Sequence, residues 1–261
     1  MRSPIRALFA AATMFAAASR APADTIALTF DHTTGTAGVP VQYTINGTTS
    51  SPTVTPGPYF WHPTNGVPLN SGFSSPLATF CVELNQTISA NNSYTYTIDT
   101  NLAAMPTIGT TVKANQIEEL WGRYYDPNWA NPAFAGSLQS TAFQLALWEL
   151  VYDGGSNLNL TSGNFQSKSG SVSNTGTATG LAASWLSSLS STGSNAAAFN
   201  TRFNGYDLVG LTNGTRQDQI TMIQPPPPTQ HGPVPAPPAV ILAGIGFIGL
   251  VGRARMTRQA A

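Results

Sequence analysis

Two terminal segments limit the part of this chain that can fold as an independent domain to residues 24–223. At the amino end, two arginines precede the apolar run 7–18, and the small residues Ala21 and Ala23 follow it. Positive charge, a short apolar run and small residues in this order predict a secretory signal peptide over residues 1–23. The run is shorter than the ~20 apolar residues that span a bilayer. We therefore expect an exported protein, the alternative being a disordered amino-terminal tail.

The carboxy-terminal segment has three successive parts. A proline-rich stretch over residues 224–233 predicts a stiff linker, and the apolar run 238–251 follows it. Arg253 and Arg255 lie in the basic end, which the positive-inside rule assigns to the cytoplasm. These features predict a carboxy-terminal hydrophobic helix that holds the protein at a membrane, either transiently or stably.

A short motif precedes the apolar run and consists of Val234, Pro235, Ala236 and Pro237. Motif, apolar helix and basic end together resemble the PEP-CTERM sorting signal, with Ala236 in the place of the usual glutamate. The resemblance implies that an exosortase-type membrane protease cleaves residues 234–261 near the motif and transfers the protein to the bacterial cell envelope or outer surface. A plain membrane anchor is the alternative.

The charge of the remaining chain excludes several classes of function. Residues 24–223 contain all eleven acidic residues but only five of the eleven basic ones. An acidic domain repels phosphate backbones, so we expect no nucleic-acid partner. The sequence contains no P-loop, dinucleotide-binding or EF-hand motif, and no His or Cys spacing indicates a metal site. We therefore expect a single domain without a cofactor.

The hydrophobic periodicity changes twice along this domain, from a strand pattern to a helix pattern and back. The proline-, glycine- and serine-rich residues 50–76 are predicted to form a long loop. This order predicts an α+β fold, in which a β-sandwich or barrel-like sheet carries an inserted helical subdomain. The predicted strands are 25–31, 41–45, 79–84, 94–98, 207–211 and 219–223, and the predicted helices are 114–125, 140–152 and 181–189.

Cys81 is the only cysteine, so it cannot form an intramolecular disulfide. Strand alternation predicts that Cys81 and Glu83 share one face of the sheet. A solvated carboxylate is the simpler interpretation of Glu83, and a proton-steering group is the other. In the second predicted helix, Gln144 falls at the edge of the apolar stripe, and Trp148 lies one turn later.

Phe80-Cys81 followed by the helical segment 143–148 (Phe-Gln-Leu-Ala-Leu-Trp) resembles the thioester domains of bacterial surface proteins. Those domains carry a cysteine on a strand and a glutamine in a Thr-Gln-x-Ala-like helical motif. Ala146 and Trp148 match that motif, whereas Phe143 and Leu147 replace the usual threonine and isoleucine. The resemblance implies an α+β fold over most of residues 24–223.

The resemblance also implies that the Cys81 thiol and the Gln144 carboxamide join in an internal thioester and release ammonia. A surface amine or hydroxyl, on a protein or a polysaccharide, would then attack the thioester once and form an isopeptide-like cross-link. Such a protein is an adhesion or matrix-linking protein rather than a turnover enzyme. The bond needs protection from water, for which the candidate aromatic shields are Phe80, Trp148, Trp121 and Tyr124.

Two other hypotheses are open at this point. Cys81 is a small buried residue in the first, and the chain is a non-covalent structural protein of the exopolysaccharide matrix, sorted by the same tail. In the second, Cys81 is the nucleophile of a hydrolase, which needs a nearby base such as His62. The first hypothesis predicts that Gln144 is an ordinary helix residue.

Overall fold

The computed structural model describes residues 24–64, 72–73 and 76–224, and its centre is a closed barrel of antiparallel strands. Around the barrel, the order of strands is β1-β5-β6-β10-β9-β7. A second, small sheet forms around β2, which pairs with β3, β4 and β8. The strands of the described residues are β1 (Thr25–Thr33), β2 (Val39–Ile45), β3 (Thr48–Ser50), β4 (Thr53–Val54), β5 (Tyr59–Pro63), β6 (Leu77–Cys81), β7 (Ser93–Asp99), β8 (Phe165–Ser167), β9 (Asp207–Thr212) and β10 (Gln219–Ile223).

The helices come between β7 and β9 in the chain, so they are an insertion into the barrel sequence. Thr110 and Ser137 begin the two long helices, because each side chain accepts a hydrogen bond from a main-chain N–H of the first turn. Gly122 allows a close approach between two helices, since a Cβ there would lie 2.4 Å from main-chain atoms of Ala198. The helices are α1 (Thr111–Tyr124), α2 (Pro132–Ala135), α3 (Leu138–Asp153), α4 (Ala178–Ser188) and α5 (Ala197–Arg202), with 3-10 turns at Leu102–Ala104 and Pro127–Ala130.

Helix α3 is the centre of the helical region and is buried on all sides from Ser140 to Val151. It packs against α1, α4 and β8. The expectation that Gln144 lies at the edge of an apolar stripe is therefore wrong, because its side chain is 0% exposed. A helix that is covered all round has no solvent-facing edge.

Two large hydrophobic cores result from this arrangement, beside a small cluster of Phe60, Ala78 and Ala135. The barrel core lies inside the barrel and includes Leu28, Trp61 and Tyr96. The larger helical core joins α1, α3 and α4 to Phe80 and Cys81 of β6. Strand β6 therefore borders both cores, since Leu77 belongs to the barrel core.

The α+β class, the barrel and the insertion of helices confirm the coarse prediction from the sequence. The predicted loop over residues 50–76 is wrong in part, because β4 and β5 lie within it. Its prolines obscure Tyr59, Phe60 and Trp61, which are strong strand formers and pair with β1 and β6. The predicted strand 79–84 ends early, at Cys81.

The proposed signal peptide (1–23) and the sorting and anchor segment (234–261) lie outside the described residues, as does the linker after Gln224. The motif residues 234–237, Arg253, Arg255 and the hydrophobic helix are part of that segment. Among the residues that the structure describes, no helix combines the length and apolar character needed to cross a membrane.

Candidate functional site

The structure brings Cys81 and Gln144 together through two hydrogen bonds. The Cys81 main-chain N–H donates to Gln144 Oε1 at 3.2 Å, and Gln144 Nε2 donates to the Cys81 carbonyl oxygen at 2.8 Å. Both residues are 0% exposed. The carboxamide is therefore fixed against the main chain of the residue that carries the thiol.

The end of a strand ladder explains why a side chain occupies this position. The pairing of β5 with β6 stops at Tyr59 opposite Thr79, so that no residue of β5 pairs with Cys81. The Gln144 amide supplies the donor and the acceptor that the next residue of a strand would have supplied. Buried main-chain groups require such partners.

Burial controls the chemistry of the Cys81 thiol. Removal from water raises the pKa of this thiol to about 12. The hydrogen bond with the Glu83 main chain and the nearby Trp148 indole N–H lower that pKa only in part. The thiol S–H donates to the Glu83 carbonyl oxygen at 2.8 Å. The indole N–H of Trp148 lies close enough to favour a thiolate but has no hydrogen bond of normal geometry within the described residues. Cys81 is therefore a neutral thiol at pH 7.

The carboxyl groups of Glu83 and Asp218 lie near the thiol. The negative charge of each one raises the pKa of the Cys81 thiol. Glu83 Oε2 accepts the Asp218 main-chain N–H at 3.0 Å. Burial raises the pKa of both groups, that of Asp218 to about 7. The interpretation of Glu83 as a solvated strand carboxylate is wrong, because the side chain is 8% exposed and lies beyond the end of β6. A carboxyl group with a pKa near neutrality is suited to accept and return a proton.

Of the four candidate shields, three lie in the helical core and one lies at its margin. Phe80 contacts Trp121 edge-on, with ring centroids 5.6 Å apart, and Trp148 lies beside the thiol. These three side chains are each 1% exposed. Tyr124 instead stacks on Trp185 and shares a hydrogen bond with Ser188.

A surface pocket of about 320 Å³ lies beside the chain segment that follows Cys81. Val82 and Glu83, the two residues that follow Cys81, form part of its wall, and Tyr152 lies opposite on α3. The Tyr152 hydroxyl accepts the Leu84 main-chain N–H at 3.0 Å and so fixes this wall to the helix. The other lining residues are Thr44, Ile45, Asn85, Pro106, Thr107 and Val151.

His62 lies on another part of the barrel and pairs with Asp31 at 2.6 Å. Tyr59 of β5 and Thr79 of β6 lie opposite each other. His62 lies three residues beyond Tyr59 on β5, and Cys81 lies two residues beyond Thr79 on β6, which runs in the opposite direction. At ~3.3 Å per residue the two side chains are roughly 17 Å apart, so His62 cannot take a proton from this thiol. Among the described residues, no group of three His, Cys, Asp or Glu side chains is arranged to hold a metal ion.

Sequence reasoning missed Asp218 and Tyr152 as members of the site. Asp218 precedes Gln219, which lies opposite Cys81 in the pairing of β6 with β10. That contact joins residues far apart in the chain, and no local pattern reveals it. Tyr152 was visible only as one residue of a predicted helix.

Comparisons of the chain with protein-family models, with curated proteins and with solved structures found no match.

Proposed function

We propose that this chain is an envelope-anchored adhesion or matrix-linking protein whose working group is an internal thioester between Cys81 and Gln144. The observation that carries the proposal is the pair of hydrogen bonds between the Gln144 carboxamide and the Cys81 main chain. They hold the carboxamide against the main chain of the residue that carries the only thiol of the chain, and proximity between a nucleophile and an acyl group makes a slow acyl transfer fast.

Formation of the bond requires a proton acceptor and a polarised carbonyl group. The thiol proton passes to the Glu83–Asp218 carboxylate pair as sulfur bonds to Gln144 Cδ. The Cys81 N–H already donates to Gln144 Oε1 and stabilises the negative charge that develops there. The Cδ–Nε2 bond then breaks, and the nitrogen takes the proton and leaves as ammonia. Thiol and carboxamide thus become thioester and ammonia, with no oxidant or cofactor.

The thioester reacts with its target only once. A primary amine or a hydroxyl on a surface protein or polysaccharide attacks the carbonyl carbon, the carbon–sulfur bond breaks, and the thiol is released with the acceptor's proton. The pocket beside Val82 and Glu83 supports this step, because it opens the surface next to the residues that follow Cys81. Burial of both residues supports a long lifetime against hydrolysis.

The ends of the chain complete the proposal. A cleaved signal peptide, an exosortase-type protease acting at residues 234–237 and a hydrophobic helix within 238–251 would deliver this domain to the bacterial envelope. The support for this delivery is the order of the sequence segments alone.

The test is the intact mass of the exported domain, purified without reductant or amines. We expect a mass lower than the sequence mass by one ammonia, and the full mass for Cys81→Ser and Gln144→Ala after correction for each substitution. Reaction with methylamine should give the full sequence mass plus one CH2, because a methyl group replaces one hydrogen of the Gln144 amide, and should release a titratable thiol. A wild-type protein of full sequence mass, with its thiol free from the moment of folding, would contradict the proposal.

The second candidate is a non-covalent structural protein of the exopolysaccharide matrix. One observation favours it: the Gln144 amide satisfies two buried main-chain groups, which is sufficient reason for a glutamine at this position. In that case Cys81→Ser leaves both mass behaviour and binding unchanged, and Gln144→Ala acts through stability alone.

A further inference from the structure

A second pocket, of about 390 Å³, opens between the end of α1, the α2 region and α4. Its lining combines four aromatic rings with a few polar side chains, and Asp126 is its only charged group. The volume falls within the range of small-ligand sites, about 300–1,000 Å³. The pocket shares no lining residue with the one beside Val82 and Glu83.

The aromatic rings of this pocket are held in place from behind. Tyr124 and Trp185 stack at 4.7 Å with an interplanar angle of 11°, and the Tyr124 hydroxyl is fixed by Ser188 at 2.7 Å. Trp129 is buried and packs edge-on against Phe143 at 5.4 Å. Phe134 differs from these rings because it is 61% exposed, the most exposed large apolar side chain in the described residues.

The exposed Phe134 leaves one flat apolar face open to a ligand at the rim of the pocket. The polar groups around it are short of partners: the side chains of Asn128 and Gln139 make no hydrogen bond within the described residues and are exposed. Asp126 Oδ1 accepts the Asn128 main-chain N–H at 3.0 Å, which fixes this carboxylate at the start of the 3-10 turn beside the pocket. The pocket therefore offers flat apolar faces beside planar hydrogen-bonding groups.

We propose that this pocket binds a neutral pyranose oligosaccharide. A sugar ring with equatorial hydroxyls presents its C–H groups to one face, and these carry the partial positive charge that an aromatic face attracts. Its hydroxyls lie around the edge, where carboxylate and amide groups such as Asp126 and Gln139 accept and donate hydrogen bonds. Because Asp126 is the only charge, uronic acid chains are disfavoured.

Sugar binding is independent of the proposed thioester. Gln139 lies five residues before Gln144 on α3, about 8 Å along the helix axis, whereas Val151 and the other pocket lie towards the opposite end. One chain thus carries a site for reversible capture and, separately, a site for covalent attachment.

The experiment is titration of the protein with tetramers of β-1,4-linked glucose and of β-1,4-linked N-acetylglucosamine. Binding is measured by the change in tryptophan fluorescence and by calorimetry. We expect one of the two to bind with a shift in emission. Trp185→Ala and Phe134→Ala should weaken that binding at least tenfold, which corresponds to ~1.4 kcal/mol. Val112→Ala, which shortens an exposed apolar side chain of α1 outside the pocket, should bind like the wild type.

Two outcomes would overturn the proposal: neither tetramer binds, or binding is unchanged in Trp185→Ala and Phe134→Ala variants that fold normally by circular dichroism. Displacement of the bound tetramer by an apolar peptide but not by excess disaccharide would likewise assign the pocket to a protein partner. Cys81→Ala should bind the tetramer with unchanged affinity, so that loss of the thioester and loss of the sugar site are told apart.

Discussion

The barrel core and the helical core solve the same problem, the burial of polar groups, in different ways. In the barrel, one series of buried side chains is joined by hydrogen bonds: Trp61 Nε1 donates to Thr79 Oγ1, which donates to Gln219 Oε1, each at 2.9 Å. In the helical core, buried side chains bind the main chain of neighbouring segments. Gln144 binds Cys81 in this way, and Gln116 binds the carbonyl oxygens of Gly155 and Ser190.

The difference follows from the backbone. Barrel strands satisfy their own N–H and C=O groups through the ladder, so polar side chains are free to pair with each other. The loops around the helices have no ladder, and they obtain partners from helix side chains such as Glu119 and Glu149. Gln144 belongs to this second group by its contacts, but it alone binds the residue that carries the thiol.

The largest effect is expected from truncation of the helical core. Phe143 lies 4.9 Å from Phe80 and 5.2 Å from Trp121, ring centroid to ring centroid. Phe143→Ala should lower the free energy of unfolding by about 3–5 kcal/mol, measured by urea denaturation. Because β6 borders both cores, circular dichroism and tryptophan fluorescence should report one shared transition; two separate transitions would show that the cores unfold independently.

A matched pair of glutamine variants tests whether the two cores differ in how they satisfy buried polar groups. Gln144→Leu leaves the Cys81 N–H and C=O without partners in a dry interior and should cost about 3 kcal/mol. Gln219→Leu removes one acceptor from a hydroxyl that still receives the Trp61 N–H, and should cost about 1 kcal/mol. Equal losses, measured by chemical denaturation under reducing conditions, would remove the distinction between the two cores.

Glu149 provides a pH-dependent test of the helical core. Burial raises its pKa from 4.5 to about 8, and within the part of the chain that the structure describes only Oε1 has a partner, the Asn159 N–H at 2.6 Å. The folded state therefore holds this proton more tightly than the unfolded state. Its contribution to stability is complete below pH 4.5 and is lost as the pH rises towards 8.

Glu149→Gln keeps an acceptor for Asn159 but cannot ionise, so it should be more stable than the wild type at pH 9 by about 4–5 kcal/mol. At pH 4 the two proteins should differ little. The exposed Asp207→Asn serves as the control and should leave the pH profile unchanged. A variant whose unfolding free energy tracks the wild type from pH 4 to pH 9 would contradict the assigned pKa.

The smallest effect is expected on the outer surface of the barrel. His62→Ala removes an ion pair with Asp31 in which the two side chains are 51% and 30% exposed, and should change stability by no more than ~0.5 kcal/mol. It should also leave the intact mass and the thiol titration unaltered. Loss of an esterase activity in His62→Ala, measured on small esters, would instead revive the cysteine hydrolase hypothesis.

Local sequence patterns were sufficient for the longer elements but not for the shorter ones or for the surroundings of the site. The strand and helix periodicities locate β1, β7, α1 and α3 closely, because each pattern extends over several residues. Short elements such as β8 and α5 escaped prediction, since three to six residues carry too little periodicity. The meeting of Cys81 with Gln144 came from a resemblance, whereas their complete burial and the nearby Asp218 depend on contacts between distant parts of the chain.

The contacts around Cys81 also determine how long the thiol stays exposed during folding. Asp218 joins Glu83 across 135 residues of chain, and β10 closes the barrel beside β6. Contacts of such sequence separation form late, because a long loop must close before they contribute. Until residues 217–219 pack against β6, the thiol lies at the uncovered end of this strand and is accessible to oxidants and to other thiols. The rate of barrel closure therefore determines how many molecules reach the native state with this sulfur chemically intact.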